Sequence, residues 1–169
     1  MAIYQIFNGP APTTAAQVPV TTGTAIKTLL QVKASATNPI KIIEWGVSFD
    51  GSAAATPIKV ELVETDVAAT VTASAAADLV KLDAAALASG DQTTNLIPVG
   101  TTSTGYTSTS EGSITATRVF DAQLVAPTNQ YVKQFPLGRE PVIQVSKFAR
   151  IRVTAGAAVN AYCYMTVEV

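Results

Sequence analysis

Large apolar side chains recur at every second position along much of this chain, which is the pattern of extended strands with one buried face. The clearest run is residues 41–50, where Ile43, Trp45, Val47 and Phe49 fall in phase. Residues 57–65 repeat it, with Ile58, Val60 and Leu62 on one side and Lys59 and Glu61 on the other. Gly51 and Pro57 bound the connection, so the two runs read as an antiparallel pair in the middle of a β-sandwich, with one wet face.

Ahead of this pair, residues 2–8 alternate Ile3, Gln5 and Phe7 against Tyr4 and Ile6, which predicts a short first strand or an arm lying on a neighbour. Asn8-Gly9-Pro10 ends it. Residues 11–23 are Ala, Thr and Pro with little to bury, and read as a long loop or arm at an interface. Residues 1–23 are therefore set apart from a single sandwich domain over 24–169. In that domain, residues 24–34 predict a strand with Ile26, Thr28, Leu30 and Val32 on one face and Lys27, Leu29, Gln31 and Lys33 on the other.

Past Thr65 the texture changes. Residues 68–89 are Ala-rich, with Val71, Leu79, Leu82 and Leu87 at loosely helical spacing, and predict one or two short helices. Asp78 and Asp83 suit caps or first-turn anions, and Gly90 a helix stop. The β-branched Val67, Thr70, Val71 and Thr72 point instead to an extended start. Residues 91–111 are Thr, Ser and Gly with sparse apolar positions (Leu96, Ile97, Val99, Tyr106), and read as a surface excursion. Together, residues 67–111 form a partly helical insertion between the fourth and fifth strands.

Alternation returns at residues 112–125, where Ile114, Ala116, Arg118, Phe120 and Ala122 oppose Thr115, Thr117, Val119, Asp121 and Gln123, with a bulge expected near Phe120. Residues 129–135 predict a short strand, and 136–141 a proline-bounded turn. In residues 146–155, Arg150 and Arg152 share one face, pointing to solvent or to an acidic partner. The last strand, 159–169, places Ala161, Cys163, Met165, Val167 and Val169 opposite Tyr162, Tyr164, Thr166 and Glu168. About eight strands with one insertion predict an all-β, antiparallel, jelly-roll-like sandwich. An immunoglobulin-like Greek key is the alternative; its Cys-Trp-Cys pattern is missing.

Composition narrows the chemistry. The 169 residues are 48% hydrophobic and only 14% charged, so much of the exterior must be Thr, Ser, Ala and Gln, a surface poor at repelling neighbours. Net charge is −1 with no basic run, which argues against nucleic acid. No apolar stretch approaches the roughly 18 residues of a membrane span, and the start lacks secretory features, so the chain is expected to begin near Met1 and to be made in a cytoplasm. Cys163, the single cysteine, reads as a small buried hydrophobe.

Histidine is absent, which removes the usual general base and the commonest metal ligand. The acidic pairs Glu61 with Glu64, Asp78 with Asp83, and Glu44 with Asp50 lack the ligand-dense spacing of a calcium loop and read as solvated charges. Glycines 90, 100, 105 and 112 precede a strand rather than a helix, unlike a nucleotide cradle. Trp45 and Tyr131, Tyr162 and Tyr164 could stack on a sugar, but Trp45 is in phase with the core. Tyr162 and Tyr164 lie opposite the apolar face and are the better contact residues.

Two segments carry a resemblance: Trp45-Gly46-Val47-Ser48-Phe49-Asp50-Gly51 leading into Pro57-Ile58-Lys59-Val60-Glu61-Leu62, and Val119-Phe120-Asp121-Ala122-Gln123 through Gln130-Tyr131-Val132-Lys133-Gln134-Phe135-Pro136-Leu137-Gly138-Arg139-Glu140. Their texture resembles small virion structural proteins of tailed bacteriophages, in particular head decoration or cement proteins with a jelly-roll core. The resemblance implies a non-enzymatic protein of the capsid surface, a homo-oligomer such as a trimer, that binds the major capsid protein across subunit junctions. It implies no cofactor, metal, nucleic acid or membrane. Tyr4, Tyr131, Arg139, Arg150, Arg152, Tyr162 and Tyr164 are the candidate interface residues. The alternatives are a tail or baseplate part, a carbohydrate-binding sandwich, and, last, an acid-pair hydrolase.

Overall fold

The computed structural model describes residues 2–13, 15–51, 56–82 and 96–169. They form two antiparallel sheets packed together as a β-sandwich. In chain order the strands are β1 (Ile3–Phe7), β2 (Val20–Thr21), β3 (Lys27–Lys33), β4 (Ile40–Phe49), β5 (Ile58–Thr65), β6 (Thr70–Ala73), β7 (Val80–Lys81), β8 (Gly105–Ser110), β9 (Arg118–Val125), β10 (Gln130–Gln134), β11 (Val142–Ile143), β12 (Phe148–Thr154) and β13 (Asn160–Glu168). One sheet runs β10-β4-β13-β1-β7, with β11 also on β4 and β2 also on β13; the other runs β6-β8-β3-β12-β5-β9.

The two stretches read as a central hairpin are both strands, but they do not pair. β4 lies between β10 and β13, whereas β5 lies between β12 and β9 in the opposite sheet. Alternation states which face of a strand is buried, and that holds equally for strands side by side and strands across a core. From the β4 sheet, Tyr4, Ile6, Trp45, Val47, Cys163 and Met165 enter the core; from the β5 sheet, Leu30, Val32, Ile58, Val60, Leu62, Ile151 and Val153 do so. Each fully buried large apolar side chain contributes about 1.5–3 kcal/mol.

Three bulges explain where simple alternation fails. Thr166 sits opposite Glu44 and Val167 opposite Ile42, so Ile43 is the extra residue on β4. The buried set therefore changes phase there, from Ile40 and Ile42 to Trp45, Val47 and Phe49, and Ile43 is only half-buried. On β3 the extra residue is Leu29, which brings both Leu29 and Leu30 into buried positions. On β9 it is Phe120, where the sequence pattern had faltered. This bulge and the inward-pointing carboxylate of Asp121 blunt an eight-residue sheet edge that would otherwise invite strand addition.

The 67–111 span contributes three strands, β6, β7 and β8, rather than the expected helices and excursion. The β-branched start is extended, as β6, and among the described residues the helical part is one 3-10 turn, Ala76–Asp78. Asp78 steadies that turn by accepting from the Ala75 amide at 2.8 Å and the Ala11 amide at 3.0 Å. Asp83 and Gly90 lie outside the described residues. β8 pairs with both β6 and β3 despite its Ser and Thr content. Gly105 permits this, because a Cβ there would stand 2.3 Å from the Thr72 carbonyl oxygen. The strand predicted at 112–125 begins only at Arg118. At the N-terminus, β1 pairs with β13 and β7, and the 11–23 segment adds β2 to β13.

Candidate functional site

The arginines expected to face solvent or a partner are buried. Arg150 is 0% exposed and Arg152 nearly so, although both lie on the outer face of the β5 sheet. That face is roofed by neighbouring segments. Arg150 donates from Nη1 to the Glu111 carbonyl at 3.1 Å and from Nη2 to the Val67 carbonyl, clamping two connections at once. Arg152 donates to the Ile114 carbonyl and to Glu61 Oε2, at 3.3 Å for the latter, while Lys59 Nζ holds Glu61 Oε1 at 2.7 Å. Glu111 accepts from the Thr28 amide and hydroxyl, both at 2.6 Å, and from the Ser108 hydroxyl. Burial pushes the Arg150 guanidinium down to about 10, against the pull of Glu111. The acidic partners of these arginines are thus internal, and the outward face of β5 stays wet at the exposed Lys59 but is a buried polar layer at Glu61.

Two further carboxylates tie the sheets together along one side. Glu64 on β5 accepts from Arg118 Nε at 2.9 Å, the Thr117 hydroxyl at 3.0 Å and the Gln144 amide at 3.1 Å, while Arg118 also donates to the Val142 carbonyl on β11. Burial opposes its ionisation, yet these donors and the Arg118 charge outweigh burial and hold the carboxyl below its ordinary value. Asp121 on β9 accepts from Gln123 at 3.1 Å and from Tyr131 Oη at 2.8 Å, with Lys133 Nζ at 3.3 Å, the last two from β10 in the opposite sheet. Here too burial raises, and these donors more than reverse it, leaving the carboxyl low. Burial and the bond to Asp121 push Tyr131 up to about 12. Tyr131 also meets the buried Trp45 ring edge-on, with centroids 5.4 Å apart. Tyr131 is therefore a clasp, and Tyr4 is a fully buried core residue. Neither is an open contact residue.

The remaining three candidates do reach the surface. Arg139 is exposed in the 136–141 turn, which its amide closes on the Pro136 carbonyl at 2.9 Å, with Leu137 96% exposed at the tip. Tyr162 and Tyr164 stand on the outer face of the β4 sheet. Cross-strand register puts Val132, Gly46, Tyr164 and Phe7 in one row, and Gln130, Ser48 and Tyr162 in the next. Gly46 is what lets the Tyr164 ring lie across β4, because a Cβ there would stand 2.5 Å from Tyr164 Cε1. The Tyr164 hydroxyl is tied to Glu44 Oε1, and the phenol is pushed up by burial and by that carboxylate. Phe7 leans beside it at 48° with centroids 6.4 Å apart. Tyr162, 36% exposed, donates to the Gln17 carbonyl at 2.5 Å.

Gln17 is placed in turn by Asn8. The buried Asn8 side chain donates to the Ala161 carbonyl at 3.0 Å and accepts from both the Cys163 amide, at 3.0 Å, and Gln17 Nε2, at 3.1 Å. The 11–23 segment is thereby pinned against β13 at the point where it meets Tyr162. Sequence reasoning missed Asn8, Gln17 and Gly46 as parts of this surface; the Asn-Gly-Pro ending of β1 was a local signal for Asn8 alone.

No family model, curated protein or solved structure matches the chain.

The site residues thus divide into internal clamps and an outer platform. Glu61 and Glu64, three apart on a strand, point to opposite faces and cannot act as a dyad. Glu44 and Asp50 are separated by six residues, about 20 Å of strand, and are bound to Tyr164 and Asn160 respectively. Among the described residues no three His, Cys, Asp or Glu side chains converge as a metal site, and no helix is long and apolar enough to cross a membrane. Cys163 is buried, which pushes its thiol up and away from reactivity.

Proposed function

We propose that this chain is a non-enzymatic structural protein of a tailed-bacteriophage particle, a decoration protein that docks on the outside of the head across junctions between major capsid subunits. The observation that carries the reading is where the charges go. In a chain with so few, Arg118, Arg150, Arg152, Glu61, Glu64, Glu111 and Asp121 are spent on clamps that join sheet to sheet and connection to sheet. The exterior keeps scattered charges such as Lys41, Asp50, Asp66 and Arg139, and between them large apolar side chains stand exposed: Leu137 in its turn, Leu124 and Val119 on β9, and Ile114 and Val18 on connecting segments. A rigid body with a weakly charged, partly apolar skin suits docking to a repeating lattice, where many modest contacts add. The resemblance to decoration proteins supports the same reading, and a homo-oligomer would multiply it further.

The test is to separate heads from tails of the particle that encodes this chain and to probe each fraction for it. The chain is expected in heads, in many copies per particle. Its presence in tails alone would make it a tail or baseplate part, and its absence from particles would overturn the reading.

A further inference from the structure

The two cross-strand rows on the outer face of the β4 sheet enclose a hollow of about 190 Å³. It is lined by Gly46 and Ser48 of β4, by the rings of Phe7, Tyr164 and Tyr162, and by Val132 and Gln130 on the β10 side. None of the residues lining it is charged. At about 190 Å³ the hollow has room for one small ring system rather than a length of peptide. Both tyrosines are held through their hydroxyls, Tyr164 by Glu44 and Tyr162 by the Gln17 carbonyl, so little side-chain freedom remains to be lost on binding.

We infer that this hollow binds a neutral saccharide unit, a pyranose ring laid against Tyr164 and Tyr162 with its hydroxyls reaching Gln130 and Ser48. The chemistry argues for that class. A pyranose offers an apolar C–H face to an aromatic ring and a rim of hydroxyls to amide and hydroxyl side chains, and the hollow supplies both with no charge to desolvate. An anionic ligand finds no cation in the lining. The site is independent of the clamps on the β5 sheet and adds a binding activity to the docking role proposed above.

Titration of methyl β-D-glucopyranoside, methyl β-D-galactopyranoside and methyl α-D-mannopyranoside into the isotopically labelled full chain, followed by amide NMR shifts, tests this alongside a glycan array. At least one neutral sugar is expected to give saturable shifts centred on Gly46, Ser48 and Gln130. Tyr162→Ala should weaken that binding about tenfold, and Gln130→Ala, at an exposed position, about threefold, with both variants keeping the parent spectrum elsewhere. The inference is overturned if no neutral sugar shifts these amides, if only acidic glycans bind, or if binding survives both substitutions. It is equally overturned if sedimentation shows a dimer that Tyr162→Ala disperses, since a second copy would then be the occupant.

Discussion

Gly46 illustrates how one residue decides what a surface can be. Its lack of a side chain lets Tyr164 lie down over β4 instead of standing up, and Glu44 fixes it there. Gly46→Ala is therefore expected to displace the ring and to lower stability by about 1–2 kcal/mol, measured as a fall in the urea midpoint at unchanged slope. The aromatic residues should separate sharply by the same assay. Trp45→Ala removes a fully buried side chain packed on Tyr131 and should cost about 3–5 kcal/mol, whereas Tyr162→Ala, on the exposed face, should cost under about 1 kcal/mol. The phase of Trp45 with Val47 and Phe49 already placed it inside. Nothing in the sequence announced Gly46, since a glycine within a strand becomes meaningful only once the residue opposite it is known.

At the scale of elements, the buried polar clamps make stability depend on acid. Glu64 and Asp121 both titrate below their ordinary values of 4.5 and 3.8 in the folded chain, so the unfolded chain binds protons more readily. Their contribution is complete above those ordinary values and is lost as pH falls through them towards the folded values. The urea midpoint should accordingly drop between about pH 5 and pH 3, and Glu64→Gln should lower it at neutral pH while flattening that dependence. An unchanged acid profile in Glu64→Gln would remove Glu64 from the account. Arg150→Ala should be costlier, by about 3–5 kcal/mol, because Glu111 and two carbonyls lose a buried partner.

These clamps also mark the limit of what the pattern could reveal. The alternation of Ile58, Val60 and Leu62, of Cys163 and Met165, and the lapse at Phe120 all stated faces and bulges correctly. The partners of β4 and β5, the strand at Gly105–Ser110 and the burial of Arg150 depended on which segments close over which sheet, and period two is silent on that. A charged residue on the face away from the core reads as solvated until another segment is laid on top of it.

The whole molecule is a sandwich in which buried charges hold sheets and connections together and a weakly charged, partly apolar skin is left for contact. If that skin serves a capsid, the benefit must appear in the particle. The most direct measurement is the melting temperature of purified heads at low salt, assembled without this chain and then supplied with it. The account predicts that the chain co-sediments with the heads and raises their melting temperature, approaching a plateau as sites fill. Heads that melt at the same temperature with the chain present, or that leave it in the supernatant, would contradict it.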